Sequence, residues 1–271
     1  MLYNTFESDS ELRPLIKAYW ILEDVAHEHP EKQRIIPDGC MEMIFHIGDL
    51  YRQYVQDGNY ILQPRCFVFG QITSPLDIEP TGVTNIFAVR FYPETFSAFS
   101  TMPVNDMENR AVSLNELFGE EGTKLQTEIL NAGNTESRMK ICESFLLSKL
   151  TRQETVDRVV SSGVELMLGV NGRLPIGELA QQMKINRRQL ERKFTAAIGL
   201  SPKQLSKIIR LQATIKLLLS NRFASLSEIA HEGDYYDQAH FIKDFKEFTG
   251  MSPKKFYVDN LKMSAIFISD E

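Results

Sequence analysis

The amino-acid sequence predicts an α+β protein of two domains. The N-terminal domain is β-rich, barrel- or sandwich-like with flanking helices, and the C-terminal domain is all-α, with a long helix joining two helix-turn-helix units. Three observations predict this. Turn-forming residues punctuate short β-type runs up to about residue 120, helical spacing takes over from about Gly122, and the helical part repeats itself after 50 or 51 residues. With 271 residues, 43% of them apolar, the chain is long enough to build two cores.

In the first part, Asp38-Gly39 and Gly48-Asp49 bracket a strand over 41–47, and Asp57-Gly58 divides strands over 51–55 and 60–62. Pro64, Gly70, Pro75, Pro80 and Gly82 then punctuate the chain up to a strand over 84–91. Short strands at near-regular spacing with such turns indicate a β-sandwich or barrel. Residues 93–99 and 114–118 read as short helices at its edge, and Phe6, Tyr19 and Trp20 as core. Leu125, Ile129 and Leu130, then Ile141, Phe145, Leu146 and Leu150, have helical spacing, which predicts a joining helix over 137–150. The divisions are a β-rich domain over 1–120, a helical linker over 121–155, a helical domain over 156–260 and a tail over 261–271.

The helical domain is expected to hold helices over 156–168, 176–183, 187–198, 202–219, 227–231, 238–248 and 253–262. Phe194-x4-Gly199-Leu200-Ser201-Pro202 matches Phe245-x4-Gly250-Met251-Ser252-Pro253 at an offset of 51, and Ile176-x-Glu178-Leu179-Ala180 matches Leu226-x-Glu228-Ile229-Ala230 at 50. Each copy makes physical sense as a helix-turn-helix. Ala180 or Ala230 lets a second helix cross closely, and Asn186 or Asp237 caps the start of that helix. Leu190 and Phe194, or Phe241 and Phe245, lie four apart and share its buried face. Gly199 or Gly250 supplies the left-handed residue that ends it, and Ser-Pro opens the next helix with proline at its first position. Leu205, Ile208, Ile209, Gln212 and Leu217 form the packing side of the long helix. Tyr235 and Tyr236 are expected to pack in the core and the turn, and His240 to pack or cap.

The formal net charge of −6 is unevenly divided. Residues 1–155 hold 13 Lys+Arg against 23 Asp+Glu, and residues 156–271 hold 17 against 13. The basic half points to a nucleic-acid partner, and its small excess to specific contacts rather than blanket attraction. No apolar run reaches the ~18–20 residues of a membrane span, and the first residues lack the basic start and apolar stretch of a signal peptide. The expected location is the cytoplasm. Cys40, Cys66 and Cys142, an odd number without CxxC spacing, argue against a disulfide framework or zinc ribbon. Cys40, Glu42 and His46 alternate at strand spacing, but with one histidine among them and His27 and His29 in a separate polar stretch, no metal is expected. The chain has no Gly-rich phosphate loop, G-x-S-x-G elbow or usable Ser/His/Asp set, so no catalytic residue, cofactor or enzyme activity is expected.

The repeat resembles the DNA-binding domain of the AraC/XylS family of transcription regulators over about residues 156–260. Its most diagnostic stretch is Ile229-Ala230-x4-Tyr235-Tyr236-Asp237-Gln238-Ala239-His240-Phe241-Ile242-Lys243-Asp244-Phe245-Lys246. The resemblance implies double-stranded DNA as partner, with the two units in adjacent major grooves, and RNA polymerase as a further partner of an activator or repressor. Lys184 and Asp234 stand where the family usually has glycine in each turn, a departure costing ~1 kcal/mol for a non-glycine left-handed residue.

On the second helix of copy one, Arg187, Arg188, Glu191 and Arg192 are DNA-contact candidates. Arginine suits guanine or phosphate, and glutamate suits cytosine N4 or the orienting of a neighbouring arginine. On that of copy two the candidates are Gln238, Ala239, Ile242 and Lys243; Lys203, Lys254 and Lys255 are phosphate-contact candidates.

The segment Ile35-Ile36-Pro37-Asp38-Gly39-Cys40-Met41-Glu42-Met43-Ile44-Phe45-His46-Ile47, with Phe69-Gly70 and Val89-Arg90-Phe91-Tyr92-Pro93, resembles the N-terminal domain of one AraC-like subgroup over about residues 10–120. In the wider family such domains bind a small effector, dimerise, or both; the oligomeric state stays open, with pairs of half-sites favouring a homodimer. Glu42 and Arg90 are the effector-contact candidates, with an ion pair between them as the alternative. Two other readings stay open: a dimerisation or protein-contact module without a small ligand, and a catalytic module fused to the DNA-binding unit.

Overall fold

The computed structural model describes all residues except 9–10, 56–57, 151–155, 221–224 and 260–271. The end of the expected linker, the last residues of the helix expected over 253–262 and the tail over 261–271 therefore lie outside the described residues.

Ten strands, numbered in chain order, form two antiparallel sheets among the described residues. The larger has the order β1 (Leu2–Phe6), β2 (Ile16–Asp24), β9 (Thr84–Phe91), β4 (Glu42–His46), β7 (Cys66–Phe69), β10 (Ala111–Ser113). The smaller has the order β3 (Gln33–Ile35), β8 (Leu76–Pro80), β5 (Tyr51–Tyr54), β6 (Tyr60–Leu62). Neither sheet closes, so of the two expected forms the domain takes the sandwich.

Between the sheets lie Trp20, Leu22, Tyr51, Ile78, Ile86 and Ala88. The opposite face of the larger sheet, through Tyr19, Ile21, Phe45 and Phe87, packs on Leu117, Leu125, Ile129, Cys142 and Leu146. These last side chains come from helices α1 (Leu114–Asn131) and α2 (Thr135–Lys149). The larger sheet is thus buried on both faces, which is why β2 shows no polar alternation. The short helix expected over 114–118 runs on through a break at Gly119 (φ 60) as α1. Ser113 caps it, accepting from the amide of Glu116. The helix expected over 93–99 contracts to a 3-10 turn, Phe96–Ala98, followed by a second, Val104–Met107.

The C-terminal part consists of α3 (Arg158–Gly169), α4 (Ile176–Gln182), α5 (Arg187–Ile198), α6 (Pro202–Leu219), α7 (Leu226–Glu232), α8 (Gln238–Thr249) and α9 (Pro253–Asp259). Helices α4 and α5 form one helix-turn-helix and α7 and α8 the other. Both turns carry the non-glycine residue at positive φ, Lys184 at 53° and Asp234 at 57°. Asn186 closes a capping box with Gln189, Asp237 caps α8, and α5 and α8 end on left-handed Gly199 and Gly250. Leu179, Ala180, Leu190 and Phe194 of the first unit and Ile229, Ala230, Phe241 and Phe245 of the second share one core with α6. Helix α6 buries Leu205, Ile208 and Ile209 as expected, and Leu211, Ile215 and Leu218 as well. Leu217 is only half-buried, and the Gln212 amide donates to the Pro37 carbonyl oxygen at 2.6 Å.

That bond belongs to a seam between the domains. Ile36, from the segment after β3, is buried in the C-terminal core. No helix among the described residues is long and apolar enough to cross a membrane.

Candidate nucleic-acid interface

The exposed side of α5 is set by its buried side. Leu190 and Phe194 point into the core, and Gly163 of α3 lets the Phe194 ring approach closely. Arg187, Arg188, Glu191 and Arg192 are consequently exposed. Arg187 and Glu191 have the i,i+4 spacing of a helix ion pair, yet among the described residues none of these four makes a side-chain hydrogen bond or salt bridge. Lys193, on the neighbouring flank, is by contrast paired with Asp157, whose pKa the lysine holds down against its partial burial. Three guanidinium groups near the start of α5 therefore have no internal carboxylate to satisfy them.

Helix α8 exposes Gln238, Ala239 and Lys243. Ile242 is half-buried against the C-terminal core, so only its outer edge faces away from the protein. Ser227 of α7 donates to the Gln238 side-chain carbonyl at 2.7 Å, which orients the amide. His240 is half-buried, edge-on to Tyr235, with Nε2 3.6 Å from Asp244. Tyr235 is buried, and the Arg210 guanidinium lies 4.5 Å from its ring centre.

Tyr236 does not pack in the turn; it is 93% exposed, next to the cap of α8. Two adjacent residues entering a helix cannot both face the core, and Tyr235 takes the inward place. Tyr236 thus joins the exposed polar surface beside Gln238.

The second unit is held to α6 by charge. Asp244, almost fully buried, lies 3.3 Å from Lys207 and 3.1 Å from Arg210. Burial works against the Lys207 charge, but its bond to Glu247 and the attraction of Asp244 outweigh this and raise its pKa. These cations are committed internally. Lys203 at the start of α6 and Lys254 and Lys255 at the start of α9 are exposed.

In the N-terminal domain, Glu42 and Arg90 are directly opposed on β4 and β9. The guanidinium lies 3.6 Å from Glu42 and is bonded more closely to Asp38. Burial works against the Arg90 charge, but Asp38 and the other acidic groups around it hold its pKa well above the usual value. Glu42 also accepts from the Trp20 indole at 3.2 Å, and burial pushes its pKa up to about 7 against the pull of Arg90. Glu42 lines a cavity of about 60 Å³ between the sheets, with Trp20, Ile44, His46, Tyr51 and Ile78; Arg90 does not line it.

His46 Nε2 lies 3.2 Å from Gln63 Oε1, and burial pushes the ring down to about 4, so it is neutral. Donation from Nε2 to Gln63 leaves Nδ1 as an acceptor, and Nδ1 has no partner. Burial raises the Cys40 thiol to about 11. No group of three metal-ligating side chains occurs among the described residues.

Comparison with known proteins places these features among relatives. Residues 179–257 match the family model of a helix-turn-helix domain, and residues 4–113 match that of a domain of unknown function. The Msm operon regulatory protein of Streptococcus mutans is 26% identical over 118 residues, 43% of this chain and 42% of its own, so the chain matches less than half the length of that relative. A solved structure of ToxT from Vibrio cholerae aligns with 88% of this chain and 98% of its own at 13% identity and a TM-score of 0.47. The C-terminal domain of AraT, a response regulator from Geobacillus stearothermophilus, aligns with 38% of this chain and 86% of its own at 24% identity and a TM-score of 0.36. The repeat, its two left-handed turns and the matched family model together make residues 179–257 of this chain a helix-turn-helix domain built of two units.

Proposed function

We propose that the protein is a sequence-specific transcription regulator that reads double-stranded DNA with α5 and α8. The observation that carries this reading is the exposed face of α5, where Arg187, Arg188 and Arg192 stand together without an internal carboxylate partner. A structural role for three such charges would pair them; a role at guanine edges and phosphates leaves them open. Glu191 lies among them, placed for cytosine N4. In the second unit Gln238, held by Ser227, suits adenine, Ala239 and the outer edge of Ile242 suit thymine methyl groups, and Lys243 suits guanine or phosphate. Lys203, Lys254 and Lys255 contact phosphate. RNA polymerase and a second copy of the chain are the protein partners this reading brings with it. We assign no catalytic role to any residue.

The test is selection of bound sequences from a random DNA pool by the intact protein at ~150 mM salt. The expected result is a site with two contact blocks about one helical turn (~10 bp) apart. A pool that shows no enrichment sinks the reading.

We further propose that the N-terminal domain controls this activity; most of the stretch 121–155, expected as a linker after a domain over 1–120, packs on its larger sheet through α1 and α2 and moves with it. The polar lining of the cavity between the sheets favours a small effector, because His46 Nδ1 is a buried acceptor without a partner and Glu42 stands in the same wall; at about 60 Å³ the cavity has to widen to take one, since small-molecule sites span roughly 300–1,000 Å³. In this reading Glu42 is the effector-contact candidate, and Arg90, committed to Asp38 and Glu42, holds the wall in place. A second reading, control by protein contact, is favoured by the edge strand β6, where Tyr60, Ile61 and Leu62 are all exposed. A ligand at a hundredfold excess over Kd raises stability by about 2.7 kcal/mol. A thermal-shift screen that finds such a compound, with the shift lost in His46→Phe, selects the effector reading.

A further inference from the structure

The two helix-turn-helix units meet the N-terminal domain at the same point of their repeat. Helices α5 and α8 end on Gly199 and Gly250, which the repeat aligns with each other. A side chain at Gly199 would lie 3.1 Å from the Val104 carbonyl oxygen in the second 3-10 turn. One at Gly250 would lie 2.9 Å from the Arg34 guanidinium and 3.3 Å from Pro75.

Arg34 makes the second meeting specific. It stands opposite Asp77 across β3 and β8 and holds that carboxylate with both arms of its fork, at 2.6 and 2.7 Å. Its remaining nitrogen, Nη1, donates at 3.2 Å to the carbonyl of Thr249, the last residue of α8. A cation at a helix C-terminus also complements the helix dipole there. Between these two points the strap after β3 grips α6: Ile36 is buried in its core, Pro37 accepts from Gln212, and Gly39 (φ 83) lies against Leu205. The strap is fixed to the sandwich in turn, because Arg90 binds Asp38 and Gln71 donates to the Gly39 carbonyl at 2.9 Å.

The N-terminal domain thus touches the first unit, the second unit and the helix between them. Helix α6 sets how far apart the units stand, since its 18 residues span about 27 Å. Asp244 with Lys207 and Arg210 already holds the second unit to α6; the Arg34 bond adds a second fixing point away from the α6 axis.

We infer that the N-terminal domain gauges the separation and turn of the two units, with Arg34 as the positioning residue for α8, so that the protein accepts one spacing between its two DNA contact blocks. This inference rests on α5 and α8 being the DNA readers.

The experiment uses the full chain and DNA duplexes carrying the two selected blocks at the preferred spacing or with one base pair added or removed, a shift of ~3.4 Å. Wild type is expected to prefer the selected spacing by about tenfold, equivalent to ~1.4 kcal/mol. Arg34→Ala is expected to keep its affinity for that spacing within about threefold, while the tenfold preference shrinks to about threefold or less. Arg34→Lys retains the charge opposite Asp77 but not the fork that reaches Thr249, so it is expected to behave alike and carries the test should the alanine variant not fold. An unchanged spacing profile overturns the inference. So does a uniform change of affinity at every spacing, tighter or weaker, which would make the contact a general restraint. Failure of wild type to bind any selected site sinks the function itself instead.

Discussion

Arg188 and Arg192 stand one turn apart on α5, exposed and without a partner among the described residues. Their exposure was legible in the sequence because the apolar pair Leu190 and Phe194 fixes which side of the helix is inside. Replacing Arg192 with alanine is expected to weaken binding to the selected DNA site by about 1–3 kcal/mol and to relax specificity at one position; titration of both proteins on matched and mismatched duplexes checks it. Tyr236 and Arg34 were not legible in this way. The exposure of Tyr236 depends on which of two adjacent tyrosines wins the core, and Arg34 meets partners 43 and 215 residues away, for which no local pattern exists. His46 carries a pH signature. Burial lowers its pKa from 6.5 to about 4, so the folded protein binds fewer protons than the unfolded chain between those values. The stability that depends on the neutral ring is whole above pH 6.5 and is lost as pH falls toward 4, to a limit of about 3 kcal/mol. Glu42 acts in the opposite sense, its raised pKa taking stability away as pH rises from 4.5 to about 7. The difference between wild type and His46→Gln in melting curves across that range isolates the histidine, and the acid limb of the variant is expected to be flatter.

Each helix-turn-helix was legible down to its caps because every local rule agreed: Asn186 and Asp237 at the starts, Gly199 and Gly250 at the ends, and apolar pairs four apart between them. The exceptions also fell where the repeat puts them. Lys184 and Asp234 both take positive φ, which glycine adopts without steric cost. Lys184→Gly is expected to raise stability by up to about 1 kcal/mol, read as a higher melting temperature, whereas Gly199→Ala, at φ 84 and against Val104, is expected to lower it. The sandwich was only half legible. Strands β4, β5, β6 and β9 sit between clear turn signals. Strand β2 lies under helices on one side and under the second sheet on the other, so polar alternation, the usual mark of a strand, is missing. Strands β3 and β10 have three residues each, too few to show a period.

The charge of the whole molecule is spent unevenly. Lys207 and Arg210 of the basic half serve Asp244, which takes them out of the set of cations open to phosphate. Binding should therefore depend on salt through a small number of released counterions, and replacing both Lys254 and Lys255 with alanine is expected to reduce the slope of log K against log salt by about 2. Binding isotherms at four or five salt concentrations measure it. The two-domain division was legible from charge and periodicity, but the seam was not, because its members are single residues drawn from Arg34 to Thr249.

Ile36 belongs to the sandwich's own chain segment, yet its side chain fills space in the helical core. The DNA-binding half is therefore not a self-contained cassette. A chimera that joins it to a foreign sensor domain is expected to inherit an apolar hole where Ile36 sat, and amide hydrogens on both sides of the seam are expected to share one opening event in exchange experiments. Evolution of new sensors on this scaffold is constrained to keep that plug or to refill its socket.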